Sequence, residues 1–357
     1  MKAKKPKIRF VAGACVSPDM LYVAAALYDD PEDSFTELTR AFVYNGATPE
    51  KWFFHDVSGE VTSLAIIPAR ANRPRYACAL ADTSVEFYNS NESFVEHVVA
   101  PNIDCSMVRM RYLSNEKLYA CGARGQVFAR TDTSGWHSDC SGIGKPLRVR
   151  GDAQTSAELD YRISVVTDPS NADNYAKIAD VLSVNQPAIR DITMSSDGVL
   201  YCVGMDGFIA FRGADQRAWT VVETGIDEHL LAVCQGIEPS TVVAVGYNGT
   251  VLVGSRSKRF INCSAIEDNK YFYSVTTMNN QLLLASESGL WGLSEGSLSQ
   301  IQTRTRLDNF GTECIHIEAI GGACWAIASD GIFRFDGSLW TEIVHPDVPF
   351  GGYAKVR

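Results

Sequence analysis

The sequence lacks the short motifs that mark common catalytic and metal centres. It contains no Cys-x-x-Cys pair, no His-x-His or His-Glu-x-x-His spacing, and no Gly-x-Ser-x-Gly elbow, P-loop or dinucleotide fingerprint. Chemistry at such sites needs those residue types at those spacings. The histidines are instead dispersed, at His55, His97, His137, His229, His316 and His345. We therefore expect no metal, no cofactor and no enzymatic activity.

Positive charge is scarce relative to negative charge. Lys and Arg together number 32 and Asp and Glu 42, which gives the 357-residue chain a formal net charge of -10. A general nucleic-acid binder needs a basic face to displace counterions from phosphates, so that class is excluded. An acidic chain suits a basic protein partner through electrostatic steering, although acidic charge also serves solubility alone.

Long apolar runs are absent as well. No run approaches the roughly 18 apolar residues of a membrane-spanning helix, so we expect no membrane association. The N-terminal stretch MKAKKPKIRFVAGACV starts with basic residues, but only five residues separate Arg9 from Cys15, fewer than the roughly 7–15 of a secretory h-region. We interpret it as a first strand behind a charged tail. The ten cysteines lie mostly in apolar runs such as LYACG, and buried free thiols of this kind favour a cytoplasmic location.

An internal repeat of about 42 residues runs through most of the chain. Weaker copies begin at Tyr22 and Tyr76. The stronger copies fall 82, 42, 40 and 42 residues apart and align on Tyr119, Tyr201, Val243, Leu283 and Trp325. Each unit reads as four short apolar strands separated by polar or glycine-containing turns. A four-strand unit at this period is typical of a β-propeller blade.

The repeat predicts an all-β protein, a single β-propeller domain over residues 1–357 with seven four-stranded blades, eight being the alternative. Two closures of the ring are open: KIRFVAGACV (7–16) could pair within the last blade, or the C-terminal YAKVR (353–357) could complete the first. Positive φ is expected in the turns between second and third strands, at Gly125, Asp206-Gly207, Asn248-Gly249, Gly289 and Asp330-Gly331.

Two segments break the period. Residues 29–40 lengthen the first unit, and residues 144–186 fill the extra length of the 82-residue gap. The second segment contains a strand-like run, YRISVVT, and a helix-like run that opens after Pro169-Ser170. It is either a degenerate eighth blade or an irregular insertion into a seven-bladed ring. We favour the insertion, because the segment lacks the glycine turn and the terminal aromatic residue of the other units.

The units resemble those of BNR/Asp-box and photosystem-assembly-factor-like β-propellers, within the broader group of WD40/YVTN/BNR-like repeats. The resemblance rests on Gly122-Ala123-Arg124-Gly125, Gly204-Met205-Asp206-Gly207 and Gly246-Tyr247-Asn248-Gly249. An Asp four residues before a Trp also recurs, as Asp132/Trp136, Asp215/Trp219 and Asp336/Trp340. We interpret these pairs as structural hairpin corners, in which the carboxylate accepts backbone N–H bonds and the indole packs over the blade edge.

The resemblance also implies where catalytic chemistry would have to lie. Sialidases of this fold gather arginines near the axis, and Arg109, Arg111 and Arg190 lie on first-strand segments, where an axial position is open to them. An ion-paired or solvated arginine is the favoured interpretation of each. His316 and Glu318 share one face of a strand, and a packed or hydrogen-bonded histidine is favoured there. No catalytic residue is assigned.

A closed propeller without visible chemistry is typically a binding platform, and insertions in repeat folds often map to the binding face. We therefore expect a monomeric, non-catalytic cytoplasmic propeller that binds a protein partner of basic character. Resemblance to propellers encoded beside secretion-system effectors suggests a bacterial immunity or accessory protein that binds and neutralises a secreted toxin. The alternative is a glycan-binding or glycoside-hydrolase-like propeller of the sialidase type. The partner-binding candidates are acidic residues of the two period-breaking segments: Asp29, Asp30, Glu32, Asp33, Glu37, Asp152, Glu158, Asp160, Asp168 and Asp173.

Overall fold

The described strands form seven four-stranded antiparallel sheets, each built from four strands that are consecutive in sequence. The computed structural model describes residues 7–28, 38–99, 105–143, 186–264, 270–294, 297–309 and 311–345. Blades 1 to 3 contain β1 (Lys7–Ser17), β2 (Met20–Tyr28), β3 (Leu38–Asn45), β4 (Trp52–Ser58); β5 (Val61–Ile67), β6 (Tyr76–Ala81), β7 (Ser84–Tyr88), β8 (Ser93–His97); and β9 (Met107–Tyr112), β10 (Leu118–Gly122), β11 (Val127–Arg130), β12 (His137–Ser138).

Blades 4 to 7 repeat the same plan. Their strands are β13 (Ile189–Met194), β14 (Leu200–Gly204), β15 (Ile209–Arg212), β16 (Thr220–Val222); β17 (Leu230–Gln235), β18 (Val242–Gly246), β19 (Val251–Gly254), β20 (Ile261–Asn262); β21 (Phe272–Met278), β22 (Gln281–Ser286), β23 (Gly289–Ser294), β24 (Ser297–Gln300); and β25 (Cys314–Ile320), β26 (Ala323–Ala328), β27 (Gly331–Phe335), β28 (Trp340–Ile343). One short 3₁₀ turn, Arg306–Asp308, precedes blade 7.

The first strands of the blades stand side by side in a ring. Each contacts the first strand of the next blade, and β25 contacts β1. Strands β9 and β13 also touch, so blades 3 and 4 are direct neighbours although 144–186 separates them in sequence. The described residues thus form a seven-bladed β-propeller, which confirms the predicted all-β fold and excludes an eighth blade between blades 3 and 4. The predicted insertion, apart from Gln186, lies outside the described residues.

Within the described strands, the ring closes by packing of two four-stranded blades, and no strand is exchanged between them. Strand β1 pairs with β2 in the first blade, so the prediction that residues 7–16 pair within the last blade is wrong. The Phe10 N–H donates to the Ser329 carbonyl at 2.9 Å. The Arg334 Nε donates to the Pro18 carbonyl at 2.7 Å. The alternative closing stretch, residues 353–357, lies outside the described residues.

A β-bulge recurs at the same place in each of the seven first strands. The extra residues are Val11, Thr62, Val108, Arg190, Leu231, Tyr273 and Ile315. A bulge disrupts the ladder locally. The side chain that follows the bulge can then bond the backbone of the next blade. Ser274 Oγ accepts from the Ile317 N–H at 3.2 Å, and Ser63 Oγ accepts from the Met110 N–H at 3.0 Å. These bonds join neighbouring blades near the axis.

The turns between second and third strands mostly adopt the predicted left-handed backbone. Gly125, Gly207, Gly249 and Gly289 all have positive φ. The prediction is wrong for Asp330-Gly331, because neither residue has positive φ. Gly207 shows why glycine is needed: its N–H donates to the Glu228 carbonyl at 2.9 Å, and a Cβ there would lie 2.0 Å from the Ile226 carbonyl oxygen.

The core lies between adjacent blades, and second strands contribute more buried apolar residues to it than first, third or fourth strands do. Tyr119, Tyr201 and Trp325, all positions on which the repeat aligns, are fully buried. All ten cysteines are free thiols, and eight are buried. Burial raises the pKa of the Cys202 thiol well above its ordinary value. The buried cysteines therefore act as small apolar side chains, as their apolar sequence context indicates.

Candidate functional site: the upper face and the central channel

The two faces of the ring carry different loops. Turns between second and third strands meet the connections between blades: the Gly125 N–H donates to the Pro187 carbonyl at 2.7 Å, and the Gly249 N–H to the Lys270 carbonyl at 2.7 Å. We call this side the upper face. The hairpins between first and second strands lie on the opposite side, where the Ser240 N–H donates to Ser196 Oγ at 3.1 Å. We call that side the lower face.

Both period-breaking segments join the upper face. Residues 29–37 connect β2 to β3, and residues 144–185 connect blade 3 to blade 4. Strand direction places each of these junctions on the upper side of the ring. The predicted partner-binding residues lie outside the described residues: Asp29, Asp30, Glu32, Asp33, Glu37, Asp152, Glu158, Asp160, Asp168 and Asp173. Their role stays a prediction, but their attachment to a single face is a property of the fold.

The described part of the upper face carries unneutralised negative charge. The connection from blade 4 to blade 5 reads ETGIDEH, residues 223–229, with three acidic residues and no Lys or Arg. Glu223, Asp227 and Glu228 have no ion-pair partner among the described residues. Asp206, in the neighbouring turn, is 81% exposed and lies 3.4 Å from His229 Nδ1. All four carboxylates lie inside a regular repeat, so no departure from the period marks them as binding residues in the sequence.

Aromatic rings adjoin these carboxylates on the upper face. Tyr247 is exposed, and its ring centroid lies 5.3 Å from that of His229 and 4.5 Å from that of Tyr271. Tyrosine is enriched among residues that dominate protein–protein binding energies, and an aromatic face attracts cationic side chains. The upper face therefore combines the two features that favour contact with a basic protein surface.

The three Asp/Trp pairs have different contacts despite their equal spacing. Asp336 Oδ1 accepts from the Ser338 N–H at 2.9 Å, the Ser338 hydroxyl at 2.8 Å and the Leu339 N–H at 3.0 Å. These bonds lower the pKa of Asp336 to about 2. Trp340 packs against Phe335 with 5.4 Å between ring centroids. Asp336 thus caps the turn between the third and fourth strands of blade 7.

In blades 3 and 4 other side chains cap the equivalent turns. Thr131 Oγ1 accepts from the Ser134 N–H at 3.1 Å, while Asp132 bonds Arg73 of blade 2. In blade 4, Gln216 Oε1 accepts from the Gly213 N–H at 2.8 Å, a cap to which Asp215 does not contribute. The corresponding indoles of Trp136 and Trp219 are buried. The indole is therefore buried in two of the three pairs, whereas Trp340 is half-buried, and the Asp caps its turn in one pair.

An ion-paired cluster lies near the axis, where Arg109 and Arg111 of β9 meet Asp191 of β13. Arg111 forms a bidentate pair with Asp191, with Nε–Oδ1 3.0 Å and Nη2–Oδ2 2.8 Å. Arg109 Nε lies 3.6 Å from Oδ1. Asp191 is fully buried and accepts from the Val233 N–H of blade 5 at 3.0 Å. Burial alone would raise the pKa of Asp191, but the two guanidinium groups outweigh it and hold that pKa below its ordinary value.

His316 and Glu318 of β25 lie together across the channel. The His316 Nε2 and Glu318 Oε2 atoms are 3.5 Å apart, as expected for residues on one strand face. Glu318 also accepts from the Cys15 N–H at 2.9 Å, which joins blade 7 to blade 1. Burial lowers the pKa of His316, so the ring is neutral at pH 7. Among the described residues, no group of three or more His, Cys, Asp or Glu side chains could hold a metal ion.

The fold and the site together place the chain in the class of seven-bladed β-propellers. Its upper face carries exposed carboxylates beside aromatic rings. No family model matches the chain. The chain is 26% identical over 229 residues to a curated protein named immune protein Tsi7, from Pseudomonas aeruginosa. That match covers 63% of this chain and 60% of the relative, so the chain spans less than two thirds of the relative's length.

Solved structures of other propellers share the fold at low sequence identity. The chain is similar to YCF48 from Cyanidioschyzon merolae, with a TM-score of 0.58, 9% identity, and 92% of this chain and 95% of that chain covered. It is also similar to the WD40 β-propeller domain of Doa1, with a TM-score of 0.57, 10% identity, and 93% and 94% covered. In the described part of the chain, no helix is long and apolar enough to cross a membrane.

Proposed function

We propose that this chain is a non-catalytic, cytoplasmic immunity protein that binds and neutralises a secreted toxin through the upper face of its propeller. The toxin contributes a basic surface, and the propeller acts as a monomer. The single observation that carries the location is that the described strand ends flanking both period-breaking segments lie on the face that carries the carboxylates Glu223, Asp227 and Glu228, which have no ion-pair partner among the described residues. Insertions in repeat folds often map to the binding face.

The similarity to immune protein Tsi7 supports the immunity role. An immunity protein acts by occupying its toxin and therefore needs no active site of its own. Unneutralised acidic charge raises the rate at which a basic partner is captured, which suits a protein that must intercept a toxin before it acts. We further propose that the Asp336 turn is a structural corner of Asp-box type, and that none of the three Asp/Trp turns takes part in toxin binding.

Co-purification followed by mass spectrometry tests this function. We expect one stoichiometric protein partner, whose affinity falls as ionic strength rises because exposed charges are screened. Combined substitution of Asp29, Asp30, Glu32 and Asp33 by Ala weakens binding, and so does Asp227→Ala with Glu228→Ala. The matched control is Asp215→Ala with Glu238→Ala, which removes two carboxylates from lower-face turns and leaves binding unchanged.

The alternative, a sialidase-type glycan-binding or glycoside-cleaving propeller, predicts different outcomes. It requires turnover of an aryl glycoside, or binding to a glycan array with no stoichiometric protein partner. Either result contradicts the proposed function. If the upper-face and lower-face variants lose partner affinity equally, the protein still has a protein partner, but the assignment of the binding site to the upper face is wrong.

A further inference from the structure

A cavity of 330 Å³ opens beside the axis, between first strands of four different blades. Its walls include Ser63 of blade 2, Arg109 and Arg111 of blade 3, and His316 and Glu318 of blade 7. Residues at the C-terminal ends of these strands form its rim, so the cavity faces the lower side of the ring. The partner proposed above binds the opposite face, and the two sites are therefore separate.

The arginines of this cavity depart from the repeat that builds the rest of the ring. Aligned on the bulge, the residues equivalent to Arg109 are Ala12, Ser63, Asp191, Ala232, Ser274 and His316. The residues equivalent to Arg111 are Ala14, Ala65, Thr193, Cys234, Thr276 and Glu318. Blade 3 alone carries a cation at both positions. Asp191 of the neighbouring blade accounts for Arg111, whereas Arg109 contacts that carboxylate only at 3.6 Å.

Charge around the cavity favours an anion. Arg75 also lines it and has no ion-pair partner among the described residues. The three guanidinium groups of Arg75, Arg109 and Arg111 are offset by the two carboxylates of Asp191 and Glu318, which leaves an excess of one positive charge. Arg111 is committed to Asp191 through its bidentate pair. Arg75, and Arg109 with its long 3.6 Å contact to Asp191, keep donors for a ligand.

Hydrogen-bonding capacity in the cavity wall is also unused. The Arg109 Nε lies 3.6 Å from Asp191 Oδ1 and the His316 Nε2 lies 3.5 Å from Glu318 Oε2. Both atoms are buried, and neither completes a hydrogen bond within the described structure. A buried donor without a partner costs about 1–3 kcal/mol, and native proteins rarely leave one unsatisfied. The His316 side chain is only 7% exposed, so bulk water does not replace the missing partner.

We propose that this cavity binds a small oxyanion, a carboxylate or phosphate group, held by Arg75 and Arg109 with His316 donating from the opposite wall. Guanidinium groups recognise both oxyanions through charge-assisted hydrogen bonds. A volume of 330 Å³ accommodates a compact organic acid or inorganic phosphate, since a water molecule occupies about 30 Å³ of liquid. Glu318 lines the same cavity, and its carboxylate opposes anion binding, so neutralising it should tighten binding.

Thermal unfolding and calorimetric titration of the purified full-length chain test this site, with inorganic phosphate and citrate as probes. We expect at least one of them to raise the unfolding temperature in a saturable way beyond sodium chloride of equal ionic strength. Arg109→Ala and Arg75→Ala each weaken binding by about tenfold or more, the typical effect of losing a charge-assisted bond. Arg75 lies outside the Asp191 cluster, so its variant keeps the test valid if Arg109→Ala fails to fold.

Two further variants separate a built site from general charge attraction. Arg217→Ala removes an exposed cation from a turn of blade 4 and leaves the affinity unchanged. Glu318→Gln removes a negative charge from the cavity wall while keeping an acceptor for the Cys15 N–H, and it tightens binding. The proposal is overturned if neither probe binds saturably, if Arg75→Ala and Arg109→Ala bind as the wild type does, or if Glu318→Gln weakens binding.

Discussion

Replacing Asp191 by Ala is expected to destabilise the propeller more than any exposed ion-pair variant. Asp191 is fully buried, and its removal leaves the Arg111 guanidinium, bonded to it at 2.8 and 3.0 Å, without a counter-charge. Breaking a buried pair in this way costs about 3–5 kcal/mol. The Val233 N–H, which donates to Asp191 at 3.0 Å, loses its partner as well. With an m-value of about 3 kcal/mol/M, the urea midpoint should fall by about 1–1.7 M.

The exposed pair of Arg40 and Asp56 is the matched control. It has a similar bidentate geometry, at 2.7 and 3.3 Å, but its Asp side chain is 45% exposed. Asp56→Ala should therefore cost about 0–1 kcal/mol. The double variant Asp191→Ala with Arg111→Met should be less destabilised than the sum of the single variants, because it removes the Arg111 charge that Asp191→Ala leaves unpaired, although Arg109, 3.6 Å from Asp191 in the wild type, still loses its counter-charge. If Asp191→Ala costs no more than Asp56→Ala, the account of the axial cluster is wrong.

Three further predictions concern the repeat. Gly207→Ala should lower the free energy of unfolding in urea by about 2 kcal/mol or more, because its Cβ would lie 2.0 Å from the Ile226 carbonyl oxygen. The control, Gly198→Ala, has φ 80° and open space around it, so it should cost only the backbone strain of about 1 kcal/mol. Equal losses of stability in the two variants would contradict this account. Ser274→Ala should cost about 1–3 kcal/mol by leaving the Ile317 N–H unpaired, and exposed Ser257→Ala less than about 0.5 kcal/mol. The pKa of Asp336 is lowered to about 2 from an ordinary 3.8, so the stability that its turn cap contributes is fully present above pH 4 and is lost as the pH falls through 2. The urea midpoints of the wild type and Asp336→Ala should therefore differ at pH 5 and converge near pH 2. A difference between the two midpoints that stays constant with pH would refute the cap.

The architecture could be predicted from sequence because each blade repeats the same local requirements. Turns such as Asn248-Gly249 need positive φ, which few residues other than glycine and asparagine adopt readily. Buried second-strand residues such as Tyr201 recur at the period of one blade. The exception is Asp330-Gly331, which has the same dipeptide as Asp206-Gly207 but no residue at positive φ. A dipeptide signals a turn, but its φ values depend on how the flanking strands pair.

The axial cluster could be predicted only in part. The sequence places Arg109 and Arg111 on a first strand and favours an ion-paired or solvated arginine at each position, and Arg111 pairs with Asp191. The partner lies 80 residues away in sequence, and no local pattern marks it. The signal that could have found it is the alignment of first strands, in which Asp191 occupies the position of Ser63 and Ser274. A carboxylate where other blades have a serine indicates a cation in the neighbouring blade.

The three Asp/Trp pairs show where equal spacing in the sequence fails to predict equal contacts. Equal spacing made Asp132, Asp215 and Asp336 look equivalent, yet Asp132 bonds an arginine of the neighbouring blade and Asp336 caps its own turn. Any nearby hydroxyl or amide can take over capping, as Thr131 and Gln216 do. Spacing along the chain therefore locates a turn without identifying the side chain that stabilises it.

The affinity of the co-purified partner for matched charge variants tests the central claim most directly. Titration calorimetry with the isolated partner should give a dissociation constant that rises with salt and rises at least about tenfold when Asp227 and Glu228 are both changed to Ala. The lower-face pair, Asp215→Ala with Glu238→Ala, should leave that constant unchanged. A partner that binds both variants as tightly as the wild type, at all salt concentrations, would contradict an acidic upper face as the binding surface.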